Sequence, residues 1–258
     1  ELLSVRRDLV EINQRELQRR VEFLETEVNR LRSEQAELAK MEARSIELLA
    51  EDKHPVVADL AARNSRLSED IDAIADDIEH IKSDERESSQ WAEKLESSFN
   101  TTRQRIEIAG LNQILGQVLQ EQRRNLPEPS VYDKLARDRE QTVADITLSQ
   151  ILLEEERNRL LDMPAYVADL TEPLEQDLHS VVRDDLLILA ERRRELVDRA
   201  LEVKRSYLQS IGELDFAHRR LLELTAQFEQ FLDKRLLWVR SAKPASLDSV
   251  RQIPSQVL

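Results

Sequence analysis

From Val182 to Phe231 one apolar seam runs for about seven heptads, and a seam of that length dictates a long helix with helical neighbours. Val182, Leu186, Leu189, Leu196, Ala200, Val203, Tyr207, Leu214, Ala217, Leu221, Leu224, Phe228 and Phe231 follow steps of three and four. Only Arg193 and Ser210 interrupt them. The face is wider than a two-stranded zipper needs, because Leu187, Ile188, Val197, Leu201, Leu208, Ile211 and Leu222 flank it. A stripe of that width meets more than one neighbour, as in a bundle.

Two further stretches repeat the pattern. Leu17, Val21, Leu24, Val28, Leu31 and Leu38 form a seam with Gln35 in one slot. Val57, Leu60, Leu67, Ile71, Ile74, Ile78 and Ile81 form another with Asn64 inside it, and Leu95, Phe99, Ile106 and Ala109 continue that register. Proline punctuates the helices, because it lacks the ladder donor and restricts the residue before it. The breaks predict helices near 1–53, 56–124, 130–162 and 174–237, with a short segment of undecided structure between Pro164 and Pro173. Short connections make successive helices antiparallel. The expected fold is all-α: elongated antiparallel helical hairpins with coiled-coil and bundle packing. Its second and fourth helices would each span about 90–100 Å. Residues 1–242 are expected to form one elongated helical domain, with a kink or sub-bundle boundary near 83–90. Residues 243–258 are expected to form an irregular exit.

The composition narrows the chemistry. With 3 Gly in 258 residues, neither a glycine-rich phosphate cradle nor a nucleophile elbow can be built. There is no Cys, which excludes disulfides and thiolate metal sites. The net charge of -14 opposes general binding to nucleic acid or anionic lipid. His54, His80, His179 and His218 have no metal-ligand spacing on any predicted helix and suit capping or exposed positions. Runs such as Glu154-Glu155-Glu156 and Asp184-Asp185 fit a solvated face in a chain with 52 acids. These features point away from an enzyme and imply no cofactor or metal.

No run approaches the roughly 20 apolar residues that span a bilayer, so direct membrane insertion of this chain is not expected. The chain begins at Glu1 inside a helical pattern and without an initiator Met, and reads as part of something larger. Pro55, Gly110, Gly116, Pro127 and Pro164 are candidate hinges. For Gly110 and Gly116 two readings stand: a local weak point, since Gly costs about 1 kcal/mol against Ala in a helix, or a close crossing or hinge. Trp238 follows Leu236-Leu237 near a helix end, where it either plugs the bundle or marks a membrane interface.

The segment Phe231-Leu232-Asp233-Lys234-Arg235-Leu236-Leu237-Trp238-Val239-Arg240-Ser241-Ala242-Lys243-Pro244 resembles the exit from the periplasmic region of large mechanosensitive channels of the small-conductance type, the potassium-dependent subfamily above all. Leu111 to Pro127, with Gly116 and Arg123-Arg124-Asn125-Leu126-Pro127, is similar to the same region. The resemblance implies a periplasmic domain attached to the bacterial inner membrane, which extends the channel and modulates gating without a pore of its own. Leu236, Leu237, Trp238 and Pro244 would mark the membrane-proximal junction. The implied partners are the membrane-embedded remainder of the polypeptide and sibling subunits, a heptamer by family. Taken alone, the chain is expected to be a monomer or weak oligomer, because its helices can satisfy one another's seams. The competing reading is a coiled-coil adaptor or tether that binds partner helices.

Overall fold

A computed structural model describes residues 2–109 and 113–241. Among them the chain forms α1 (Leu2–Ala50), α2 (Pro55–Ala109), α3 (Gln113–Arg124), α4 (Pro129–Arg159), α5 (Met163–Thr171) and α6 (Gln176–Ser241), with no strand. The all-α expectation holds. Two compact units divide the chain: residues 1–83 with 138–212, and residues 84–137 with 213–258. The helix α2 passes through the polar cluster Ser83–Gln90 without interruption of its helical structure.

In the first unit, partners across helices define the topology. Lys40 Nζ lies 2.6 Å from Asp72, Ser33 Oγ 3.4 Å from Glu79 and Lys82 Nζ 3.3 Å from Asn29 Oδ1. As the α1 numbers fall the α2 numbers rise, so the pair is antiparallel. Lys53–Asp185 at 2.7 Å and the Arg192–Glu42 pair make α1 antiparallel to α6 also. Glu154–Arg205 at 3.7 Å and Glu156–Arg193 at 2.9 Å do the same for α4 and α6. The result is an up–down–up–down arrangement of α1, α2, α4 and α6. Its core is the α2 seam (Val57, Leu60, Ile71, Ile78) against the α6 seam (Leu186, Leu196, Ala200, Val203), with Leu160, Tyr166 and Val167 closing one part of it.

The second unit has a smaller core of Ile106, Leu119, Phe228 and Leu232. Phe99 stacks on Phe228 at 5.1 Å between centroids and meets Phe231 edge-on at 5.2 Å. Here the sequence expectation of one helix over 56–124 is corrected. The helix α2 stops at Ala109, next to Gly110, and α3 folds back along it. Gln122 Nε2 donates to Thr102 Oγ1 at 3.0 Å and to Ser98 Oγ at 3.3 Å, and these contacts across about twenty residues are incompatible with a straight helix. The undecided segment after residue 162 is the helix α5. Asp162 caps it by accepting from Ala165 N at 3.1 Å, and Pro164 lies in its first turn, where no ladder donor is required.

The larger correction concerns α1. Its expected seam is exposed: Leu17, Val21, Leu24, Val28, Leu31 and Leu38 range from 44% to 61%. The buried face is instead Asn29, Ala36, Ala39, Ala43 and Ala50. The spacing of 29, 36, 43 and 50 is itself a heptad repeat, one residue and so roughly 100° round the helix from Val28 and Gln35. Alanine occupies it because a side chain of one carbon lets α1 lie close on α2 and α6, where a Leu would hold the backbones apart. Ile188 is likewise outside the core, at 69% exposed, although Leu186 and Val197 on the same stretch are fully buried.

Leu186→Ala should therefore lower unfolding free energy by about 2–5 kcal/mol, while Ile188→Ala should change it by less than about 0.5 kcal/mol. Urea titration followed by circular dichroism measures both.

Candidate functional site

Two of the polar residues that interrupt the apolar seams reach partners on neighbouring helices. Asn64, buried in the α2 seam, donates from Nδ2 to the Leu189 carbonyl of α6 at 3.0 Å. Arg193, one of the two breaks in the α6 seam, makes a two-pronged pair with Glu156 of α4, Nε and Nη2 each at 2.9 Å. Its Nη1 also donates to the Arg63 carbonyl of α2 at 2.9 Å. The side chains of Arg193 and Glu156 are 11% and 16% exposed, so one guanidinium ties three helices together in a largely dry site. Tyr166 of α5 stands behind the pair, its hydroxyl 3.5 Å from Glu156.

Lys204 was not singled out by the sequence pattern. It lies on the widened face of α6, with its side chain 3% exposed and its Nζ 2.8 Å from Asp70, which is half in solvent. The long aliphatic stem fills apolar space and delivers the ammonium to the edge. The available signal was a lysine three residues after Leu201 and four before Leu208, both apolar. These pairs fix register between helices, because a one-turn slip would strand a charge in the core.

The candidate hinges and junction residues separate into the two units. In the first, Pro55 opens α2 after a turn at 51–53. His54 supports that start: its Nδ1 accepts from Val56 N at 3.3 Å and its carbonyl accepts from Val57 N at 2.8 Å. Pro164 opens α5, as described. In the second unit, Pro127 is buried in the α3–α4 connection and Gly116 is a buried position within α3. Leu126, beside Pro127, and Leu236 of α6 pack on the same small core. Arg123 of α3 meets Asp233 of α6 at 3.2 Å. A groove of about 720 Å³ runs between these helices, lined by Arg123, Arg124, Glu229, Asp233, Leu236 and Leu237. Its opposed charges neutralise one another and give it no preference for an anion or a cation. Trp238 lies within α6, its side chain outside the described set. Gly110 and Pro244 also fall outside the described residues.

The histidines are dispersed. His179 Nε2 is 3.1 Å from the Leu174 carbonyl, and His218 meets the Tyr132 ring edge-on at 4.8 Å. Among the described residues no three His, Asp or Glu side chains converge as metal ligands, and no helix is long and apolar enough to cross a membrane. What the arrangement offers chemically is helix–helix registration by buried ion pairs, with breaks at defined helix starts.

Over nearly its whole length the chain is homologous to mechanosensitive channels of the MscS family. It is 23% identical to Mechanosensitive channel MscK of Escherichia coli (strain K12) over 256 residues, which are 99% of this chain and 22% of that protein. It is 23% identical to Miniconductance mechanosensitive channel MscM of the same organism over 251 residues, 96% of this chain and 22% of that protein. A 19% identity over 196 residues links it to an uncharacterized MscS family protein of Haemophilus influenzae. The chain thus spans about a fifth of the length of the curated relatives it matches. No family model matches it.

Glu156→Ala should cost about 3 kcal/mol, because it strands the Arg193 guanidinium, whereas Arg193→Met with Glu156→Leu should come close to neutral; denaturant titration of both variants checks this. Burial, and then the nearby Glu156 carboxylate, raise the Tyr166 phenol above its ordinary 10.0. A raised folded value means stability is intact below that pH and lost as pH climbs through the folded value. Tyr166→Phe should flatten the alkaline fall in denaturation midpoint but not abolish it, since burial raises Tyr132 and Tyr207 too.

Proposed function

We propose that this chain is a periplasmic region of a mechanosensitive channel, extending it outside the inner membrane and modulating its gating without forming a pore or catalysing a reaction. One observation carries the reading: 99% of the chain aligns with about a fifth of a protein named as a mechanosensitive channel. The absence of a membrane-crossing helix among the described residues is compatible with it, since the conducting part then belongs to other segments of the polypeptide.

The mechanical logic rests on two features. Buried ion pairs such as Arg193–Glu156 hold helices in register, so displacement passes along a helix axis instead of dissipating as slip. Pro55, Gly110, Gly116, Pro127 and Pro164 would serve as hinges, because proline removes a ladder bond and glycine weakens a helix. Leu236, Leu237, Trp238 and Pro244 form the junction toward the membrane-embedded remainder of the polypeptide. Sibling subunits, seven by the family pattern, surround a common pore. A coiled-coil adaptor is the second reading, favoured by the exposed leucines of α1.

Deleting this region from the full-length channel should shift its tension threshold in patch-clamp recordings while unitary conductance stays the same. A channel with unchanged threshold, conductance and ion dependence would falsify the proposal.

A further inference from the structure

Besides the charge-balanced groove at Arg123, the second unit holds a cleft of about 360 Å³. One face of α2 forms its first wall: Trp91, Lys94, Leu95 and Ser98 follow steps of three, one and three and so share a side of the helix. Across from them lie Asn125, Leu126 and Pro127 of the α3–α4 connection, and Phe228 of α6 completes the lining. Phe228 is 1% exposed and Pro127 is buried, whereas Trp91 is 43% exposed. The cleft therefore has a dry apolar floor and an indole at its rim. Small-molecule sites are commonly clefts of this size, mostly apolar, with a few convergent polar groups.

The charge in this cleft has one sign. Lys94 is the charged residue of its lining, and the residues three and four positions from it on α2 are Gln90, Trp91, Ser97 and Ser98. No acid therefore meets it along the helix surface. Glu96, close by in sequence, is held by Arg220 of α6 at 3.3 Å, and among the described residues no carboxylate pairs with Lys94. Ser98 is oriented by the network beside it: Gln122 Nε2 donates to Ser98 Oγ at 3.3 Å, and Thr102 Oγ1 donates to Gln122 Oε1 at 3.1 Å. With its oxygen accepting, the Ser98 hydroxyl keeps its hydrogen for another acceptor. An ammonium and a hydroxyl four residues apart, with Cβ atoms about 5–6 Å from each other, form a donor pair for a carboxylate. The apolar part of the lining selects the rest of the ligand, because Trp91 and Phe228 favour a flat aromatic body over an alkyl chain of equal size.

We infer that this cleft binds a small aromatic monocarboxylate, with its ring between Trp91 and the Leu126–Pro127 wall and its carboxylate on Lys94 and Ser98. A cation finds no counter-charge in the lining, and a multiply charged anion is opposed by the chain's net charge of -14. The inference is independent of the channel reading, since it rests on residues of one unit. The occupant touches α2, the α3–α4 connection and α6 together, so binding stabilises this unit against unfolding.

Fluorescence titration of the 258-residue chain with 3-phenylpropanoate provides the test. The chain has two tryptophans, so Trp238→Phe leaves Trp91 as the only indole. A saturable change in its emission is expected below about 5 mM. 3-Phenylpropan-1-ol, which keeps the ring and lacks the charge, should bind about tenfold more weakly, and 3-phenylpropylammonium more weakly still. Lys94→Gln should bring the acid to the level of the alcohol, and Lys94→Arg should keep the preference for the acid. The thermal midpoint by circular dichroism should be the same in both Lys94 variants and the parent without ligand, which separates a lost contact from misfolding, and it should rise in the parent with added acid. Absence of saturation, equal affinity for acid and alcohol, or a preference for the acid that survives Lys94→Gln would each overturn the inference.

Discussion

Burial of the broad apolar face of α6 is the contact on which the rest of the structure depends. Leu186, Leu196, Ala200, Val203 and Leu201 are almost wholly removed from water in one unit, and Leu221, Phe228 and Leu232 in the other. At roughly 1.5–3 kcal/mol for each large side chain, such a face outweighs the weak intrinsic preference of any single helical segment. Its width decides the architecture. A strict a/d stripe would accept one partner, whereas Val197, Leu201 and Ile211 beside the seam require helices on more than one side.

A core made of heptads alone has a weakness, since every layer resembles the next and a helix can slide by a turn. The polar insertions remove that degeneracy. Asn64 reaches one carbonyl, Leu189, and Arg193 requires both Glu156 and the Arg63 carbonyl at fixed heights. Such pairs add little net stability against apolar replacements, because desolvation consumes most of the Coulombic gain. Their effect is on uniqueness: they select one register among those the heptads allow.

Periodicity made the fold class and most of the core legible. The α2 and α6 seams are buried nearly residue for residue, and Asn64, Arg193 and Ser210 stand as the expected breaks in them. The sequence did not disclose the reversal between α2 and α3. Gly110 was visible as a weak point, but the apolar residues on both sides keep a helical period, so only the contacts of Gln122 with Ser98 and Thr102 reveal the turn. The partners of Arg193 and Lys204 were equally hidden. Charge patterning identifies that a buried cation needs an acid, and the choice among 52 acids is made by tertiary packing.

The helix α1 shows the limit most clearly, because it carries two heptad stripes one residue apart. Large side chains mark one and alanines the other, and a hydrophobicity scale ranks the leucine stripe as the core. Packing geometry reverses the ranking. A permanent intrachain contact between long helices gains from small residues that bring backbones close, while leucine and valine at alternating heptad positions suit knobs that enter the holes of a separate helix. A repeat of seven therefore reports that a face requires cover, and the size of its side chains reports at what distance.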